Sequence, residues 1–447
     1  MNTTGTIEAQ ATKDTSYGAP IETHAEKSVE RVRTCLWLSS APHSAVGPDV
    51  ESTERRHRLA TTAGYFATMV ALGLAFAVIG PTLAGLARQT HSDIGEIGIL
   101  FSALSVGSFL GSLLSGQWFD RLPGHRVLAI AVALLAVLVA CVPSTSTLSA
   151  LALTMLLMGA ATATLDVGVN TLLLWSYRHR VGGVINALHF CFGLGALIAP
   201  AIVAGSIRTM GDFAVAYWVL AAAIAPIAWC FIWLPAPPSP VRATTHFALP
   251  MDRRLVMSIA TLFALYVAAE AGYGGWIATY AAMVGLADPA NAALLTSAFW
   301  GMLTIGRLIA IPLANRYRAD TVIAVDLTAA IVCVGAMLMD PESATTLWIA
   351  TCLLGMSLAS IFPMLLMFAG ERMTVTGRST SWYMAGGSAG GLVVPWLIGR
   401  MFAPFGPAVL LWAVIIDLLA TTLLFVVTTR RSPRHHGIGG ETVNSQN

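Results

Sequence analysis

Gly116–Gln117–Trp118–Phe119–Asp120–Arg121–Leu122–Pro123–Gly124–His125–Arg126 runs directly into Val127–Leu128–Ala129–Ile130–Ala131–Val132–Ala133–Leu134–Leu135–Ala136–Val137–Leu138–Val139–Ala140–Cys141–Val142. A short loop carrying Asp beside Arg gives way to a stretch with no polar side chain. About 20 such residues, wound as a helix, cross the hydrocarbon of a bilayer. The run stops at Pro143–Ser144–Thr145–Ser146, a turn signal.

Outward from this point the pattern repeats. Apolar stretches suited to spanning lie near 62–84, 95–118, 126–144, 149–175, 184–206, 213–234, 255–283, 291–315, 321–339, 345–369, 378–403 and 406–428. Composition agrees: 56% of the 447 residues are hydrophobic and 11% charged, against about 25% charged in a soluble domain. The expected fold is therefore an all-α membrane protein of twelve transmembrane helices. Net charge is +2, which favours neither nucleic acid nor an acidic partner. Lipid is the surrounding medium, and a monomer is the expected state.

Arginine sets the expected orientation. Arg55, Arg56 and Arg58 precede span 1; alternate loops then carry Arg121 and Arg126, Arg178 and Arg180, Arg242 with Arg253 and Arg254, Arg316 and Arg318, and Arg372 and Arg378. The other loops hold Arg88, Arg208 and Arg400. Both termini are thus expected in the cytoplasm of a cell membrane. Residues 1–58 read as a disordered polar tail without a cleavable leader, and 429–447 as a second tail. Between them the chain divides into a six-helix half at 59–234, a cytoplasmic linker at 235–254 and a second half at 255–428. Pro235, Pro237, Pro238, Pro240 and Pro250 suit that linker.

The halves resemble one another. Leu100–Phe101–Ser102 with Gly107 in span 2 matches Phe299–Trp300–Gly301 with Gly306 in span 8, and Gly195 with Pro200 in span 5 matches Gly390 with Pro395 in span 11. Two pseudo-symmetric halves are what a rocking carrier needs, with solute held between them.

Ionisable groups at membrane depth are costly and mark function or a necessary interhelical bond. Asp166 and Asn170 share one face of span 4, and Glu270 lies deep in span 7. Span 5 places Asn186 and His189 on one face, beside Phe192 and Gly193; span 7 adds Tyr273, Trp276 and Tyr280 at helical spacing. These groups make a candidate solute site of Asn170, Asn186, His189, Glu270, Tyr273 and Trp276, with Asp166 and Glu270 as candidate cation-coupling carboxylates. The bland alternatives are interhelical hydrogen bonds and membrane-interface aromatics. The glycines at 272, 274 and 275 suggest a helix that bends during the cycle. Asp326 and Asp417, in spans 9 and 12, read as structural. Gly116, Asp120, Arg121 and Arg126, with Gly306 and Arg307 in span 8, form a candidate gate.

The spacing Gly116-x-x-x-Asp120–Arg121 resembles the loop signature of the major facilitator superfamily, with its second glycine one residue late at Gly124. Gly80–Pro81–Thr82–Leu83 through Leu86 to Gln89–Thr90–His91–Ser92, and Glu270-x-Gly272–Tyr273–Gly274–Gly275–Trp276–Ile277 with Thr279–Tyr280, resemble its sodium-dependent glucose transporter branch, relatives of fucose permease. Asp166-x-x-x-Asn170 and Asn186-x-Leu188–His189-x-x-Phe192–Gly193 fit the same group. The resemblance implies the fold, symport of a hexose-like solute with a proton or sodium, and no enzyme activity. It also places an acid in span 1, whereas Gly64–Gly80 contains none. An efflux carrier of amphipathic compounds and a non-transporting receptor are the competing functions. No G-x-x-x-x-G-K loop occurs, so ATP is not the expected driver. Cys35, Cys141, Cys191, Cys230, Cys333 and Cys352 form no C-x-x-C pair, so neither metal nor cofactor is expected.

Overall fold

A computed structural model describes residues 48–177, 181–234, 237, 252–373 and 377–432. The chain divides into two compact units, Met1–Arg56 and His57–Asn447. In the first, the described residues begin a helix. The second holds the bundle.

The helices fall on the twelve expected spans. Span 1 is Pro48–Ala77 and Ile79–Gln89, span 2 Ile94–Ile97 and Ile99–Arg121, span 3 Gly124–Cys141 with the 3-10 turn Val142–Ser144, span 4 Leu148–Tyr177, span 5 Val181–Met210 and span 6 Ala214–Trp233. The second half repeats this with Arg253–Met283, Pro289–Arg316, Ala319–Met339, the pair Ala344–Ala359 and Ile361–Gly370, Gly377–Phe405 and Val409–Arg431. Among the described residues, eleven helices are apolar enough to cross a membrane on composition alone. The remaining span, Gly377–Phe405, is diluted by glycine and serine but has 29 residues, or roughly 43 Å of helix.

Two expectations need correction. Helix begins at Pro48, inside the stretch expected to be a tail. Proline at the first helical turn with Asp49 and Glu51 beside it is a good helix start. Residues 1–47, most of the 235–251 linker and 433–447 lie outside the described residues. Span 7 is unbroken from Arg253 to Met283; among the described residues the breaks fall in spans 1, 2 and 10, at Val78, Gly98 and Ser360. At Val78 and Ser360 a proline stands three residues on, Pro81 and Pro363. Having no N–H, each proline cannot bond back to the carbonyl four residues earlier, that of Ala77 or Ala359.

The internal repeat is built from glycines at crossing points. A Cβ on Gly107 would strike the Leu156 carbonyl of span 4, and one on Gly306 would meet the Met356 carbonyl of span 10 at 2.9 Å. Likewise Gly195 lies against the Val70 carbonyl of span 1, and Gly390 against the Ala264 carbonyl of span 7. Both matched pairs from the sequence thus make the same contact in both halves. Without a hydrophobic drive between helices in lipid, such close backbone approach supplies the packing.

Candidate functional site

The described arginines at the helix ends, among them Arg121, Arg126, Arg253, Arg254, Arg316 and Arg318, gather at one end of the bundle, the arginine-rich end. At the other end the halves meet. Ser102 donates to the Leu392 carbonyl at 3.1 Å, joining spans 2 and 11. Ser297 of span 8 donates to the Leu197 carbonyl of span 5 at 2.5 Å. Arg208 donates to Asn291 Oδ1 at 2.8 Å, and a Cβ on Gly80 of span 1 would meet the Gly274 carbonyl of span 7 at 2.9 Å.

The same helix faces are open further along. Gly193 packs on Thr304, yet His189, one turn nearer the arginine-rich end, is exposed. Leu308 and Ile311, just past Thr304 on span 8, are also exposed. A cleft between spans 5 and 8 therefore opens toward the arginine-rich end.

At mid-depth the cleft contains a charge pair. Arg307 Nη2 lies 3.2 Å from Glu270 Oε1, with the two side chains 25% and 13% exposed. Glu270 is at least ~20 Å from either end of its helix at 1.5 Å per residue, so the pair stands in a largely dehydrated setting. Tyr266, one turn before Glu270, lies beside both charges but its buried hydroxyl has no well-aligned hydrogen-bond partner. His189 reaches the same neighbourhood from the first half, close enough to feel the Arg307 charge. Arg307 was expected at a gate. It is instead the partner of the carboxylate expected to meet solute, because span 8 carries it at mid-depth rather than at a loop.

Asp166 Oδ1 accepts from Asn170 Nδ2 at 3.0 Å, and the Asp166 carbonyl accepts from the same nitrogen at 2.9 Å. Asp166 stands roughly two and a half turns from Leu157 along the helix, on the face opposite that exposed apolar side chain. It is solvent-accessible. Its described hydrogen-bond donor is neutral.

Two aromatic assignments change. Tyr273 is fully buried, and its hydroxyl pairs with Thr351 at 2.6 Å, inside the second half. Trp276 is fully buried as well and donates its indole N–H to the Pro395 carbonyl at 2.8 Å. Its ring lies against Gly98, Gly399 and Phe101, where the halves join. Trp276 thus belongs to the closed end, and neither ring lines the cleft in this conformation. The glycines of span 7 let spans 1 and 2 approach: Gly275 faces the Phe101 ring.

Of the gate candidates, Arg121 and Arg126 are exposed at the arginine-rich end. Gly306 is a packing contact with span 10. The surroundings of Gly116 and the side chains of Asp120 and Asn186 lie outside the described residues. Arg372, expected in a loop, is buried: it pairs with Asp320 at 3.0 Å, donates to the Ser432 carbonyl at 3.0 Å and covers the Phe368 ring at 3.6 Å. His125 is buried too, joined to Tyr65 at 2.9 Å and to the Leu234 carbonyl at 2.9 Å. The sequence signal for both was an ionisable residue at the border of an apolar stretch, which burial and exposure share. Asp326 accepts from Ser360, and Asp417 is buried with one oxygen unpartnered. Among the described residues no group of three His, Cys, Asp or Glu could hold a metal ion.

The family model described as Major Facilitator Superfamily matches residues 65–395. The chain belongs to the major facilitator superfamily. Relatives include "Sodium-dependent glucose transporter 1A" of Mus musculus, 25% identical over 81% of this chain and 94% of that protein. "Sodium-dependent glucose transporter 1" of Homo sapiens is 26% identical, covering 81% of this chain and 77% of that one. Among solved structures, the nucleoside transporter NupG superposes with a TM-score of 0.65 at 16% identity, over 84% of this chain and 98% of that one. A bacterial homologue of the human lysosomal transporter Spinster, in an inward-facing and unoccupied conformation, gives 0.65 at 12% identity, over 84% and 96%. These superpositions speak to the fold: twelve helices in two halves. The chain is an integral membrane transporter of this superfamily.

Proposed function

We propose that the chain is a cation-coupled symporter of a small polar solute, of the hexose-like sugar class, working by alternating access with both termini in the cytoplasm. The observation that carries this is the Glu270–Arg307 pair in the cleft, together with a second carboxylate, Asp166, at membrane depth in the other half. Asp166 and Glu270 supply two carboxylates and Arg307 one guanidinium. One negative charge is left over, and a proton or sodium ion at Asp166, with Asn170 as a neutral oxygen donor, completes it. An unmatched carboxylate at low dielectric is costly, so cation and solute each favour the conformation that the other stabilises.

Glu270 and Arg307 then offer an acceptor beside a fork of donors, a pattern that matches neighbouring hydroxyls on one solute. The Tyr266 hydroxyl, beside both charges, adds a third group on that side, and His189 faces it from the first half, on the span that also carries Asn186. Tyr273 supports this wall from behind, and Trp276 closes the far end. Gly116, Asp120, Arg121 and Arg126 form the gate at the arginine-rich end, which is the cytoplasmic one, and Gly306 is a hinge point deeper in the bundle, where span 8 crosses span 10. The relatives named sodium-dependent glucose transporters support the sugar and sodium parts of the reading.

Uptake into proteoliposomes across a panel of labelled sugars, with imposed sodium or proton gradients, tests it. Asp166→Asn should abolish accumulation against a gradient while leaving exchange, and Glu270→Gln should weaken solute binding. Full concentrative uptake by Asp166→Asn would refute the coupling assignment.

A further inference from the structure

Away from the central cleft, spans 8, 9 and 10 border a half-open pocket of ≈ 200 Å³ lined in part by Asp326. Spans 8 and 10 touch along its floor, where Gly306 meets Met356. Span 9 stands off from span 8, and the gap faces outward. Ile309 and Leu353 form its rim and are 44% and 48% exposed, as lipid-facing side chains of a spanning helix are.

The polar groups are gathered on one wall. Asp326 accepts from the Ser360 hydroxyl, and Ser357 lies one turn away in the lining. Ser360 is the residue at which span 10 breaks, beside the Ala359 carbonyl that Pro363 cannot bond. The other walls are Ile309, Leu353 and Met356. Nothing in the transport cycle proposed for the cleft uses this carboxylate, since spans 8 and 10 separate it from the Glu270–Arg307 pair.

A carboxylate open to hydrocarbon is expensive and is relieved by a proton or by a bound cation; one serine hydroxyl does neither. Among the described residues no Arg, Lys or His forms an ion pair with Asp326. One carboxylate and two serine hydroxyls are a sparse donor set for a bare metal ion, and the volume is large for one. Apolar walls, a single carboxylate and room for a benzene-sized group with a short arm suit an organic monocation instead; an apolar cavity of about 150 Å³ accepts benzene.

We propose that this pocket is a lipid-accessible binding site for a small amphipathic ammonium. Its charged head pairs with Asp326 and hydrogen-bonds around Ser360, and its apolar part lies on Ile309, Leu353 and Met356. The site is separate from the solute cleft and is reached through the membrane between spans 8 and 9.

The test uses the full chain in phosphatidylcholine nanodiscs and radiolabelled 2-phenylethylammonium as probe. Saturable binding is expected, with 2-phenylethanol at least tenfold weaker as a competitor. Asp326→Asn, which keeps side-chain volume, should weaken the probe at least tenfold. Leu353→Trp, which fills the rim but keeps the carboxylate, should do the same, so the test does not depend on one variant folding. Asp166→Asn should keep probe binding even where it loses accumulation, which separates this site from the cleft. Replacing part of the phosphatidylcholine with phosphatidylethanolamine identifies the source: competition in the parent but not in Asp326→Asn assigns the natural occupant to the aminophospholipid, and no competition assigns it to a free amine. Absence of saturable binding, equal binding of the neutral alcohol, or probe affinity unchanged in both Asp326→Asn and Leu353→Trp would overturn the proposal.

Discussion

Glu270 and Arg307 should be energetically coupled, and a double-mutant cycle measures by how much. At the observed 3.2 Å, an effective dielectric of about 20 gives roughly 5 kcal/mol of attraction. Solvent reaches a quarter of the Arg307 side chain and 13% of Glu270, and both ions were partly desolvated to form the pair. These effects reduce the measurable coupling to about 1–3 kcal/mol. Glu270→Gln and Arg307→Gln should each destabilise the protein, because each leaves a charge alone at mid-depth. The double variant should lose less than the sum of the two. The assay is reversible unfolding of all four proteins in one mixed-micelle composition, followed by tryptophan fluorescence. Additivity of the two charge variants within about 0.5 kcal/mol would refute the pairing as a feature of the protein in solution.

Gly195→Leu and Gly390→Leu should each cost more than about 3 kcal/mol or abolish the folded state, since both push a side chain into a backbone carbonyl of the neighbouring helix; normal yield and an unchanged melting profile would show that the crossings are looser. Arg208→Ala removes a hydrogen bond between the halves at 2.8 Å, worth about 1 kcal/mol, and should shift the population about fivefold toward the conformation open at the arginine-poor end. Spin-label distances across that end would report it, and an unchanged distribution would count against the latch. Asp288 anchors the same corner: backbone N–H groups of Asn291 and Ala290 hold its carboxyl below the usual range, so the latch should persist as pH falls through the ordinary aspartate range and weaken only below it. A reporter fused after Asn447 should read cytoplasm, and an external signal would overturn the arginine argument.

Class, span number and internal repeat follow from residues near one another in the chain. A run such as Val127–Val142 satisfies every backbone group within itself once helical, and lipid tolerates little else. The matched glycines were legible for a similar reason: two halves with the same crossings require the smallest residue at the same places. Proline positions alone do not mark the breaks at Val78 and Ser360, since Pro200, Pro226, Pro312 and Pro395 lie inside continuous helices. What a side chain touches is another matter. Helical spacing put Glu270, Tyr273 and Trp276 on neighbouring positions, but a 100° step per residue sends Glu270 to Arg307, Tyr273 to Thr351 and Trp276 to Pro395. Those partners lie between 37 and 119 residues away, and no local pattern specifies them. Arg307 shows the limit most clearly: its identity announced a costly charge inside the membrane, while only the packing of span 8 against span 7 decided which carboxylate would balance it.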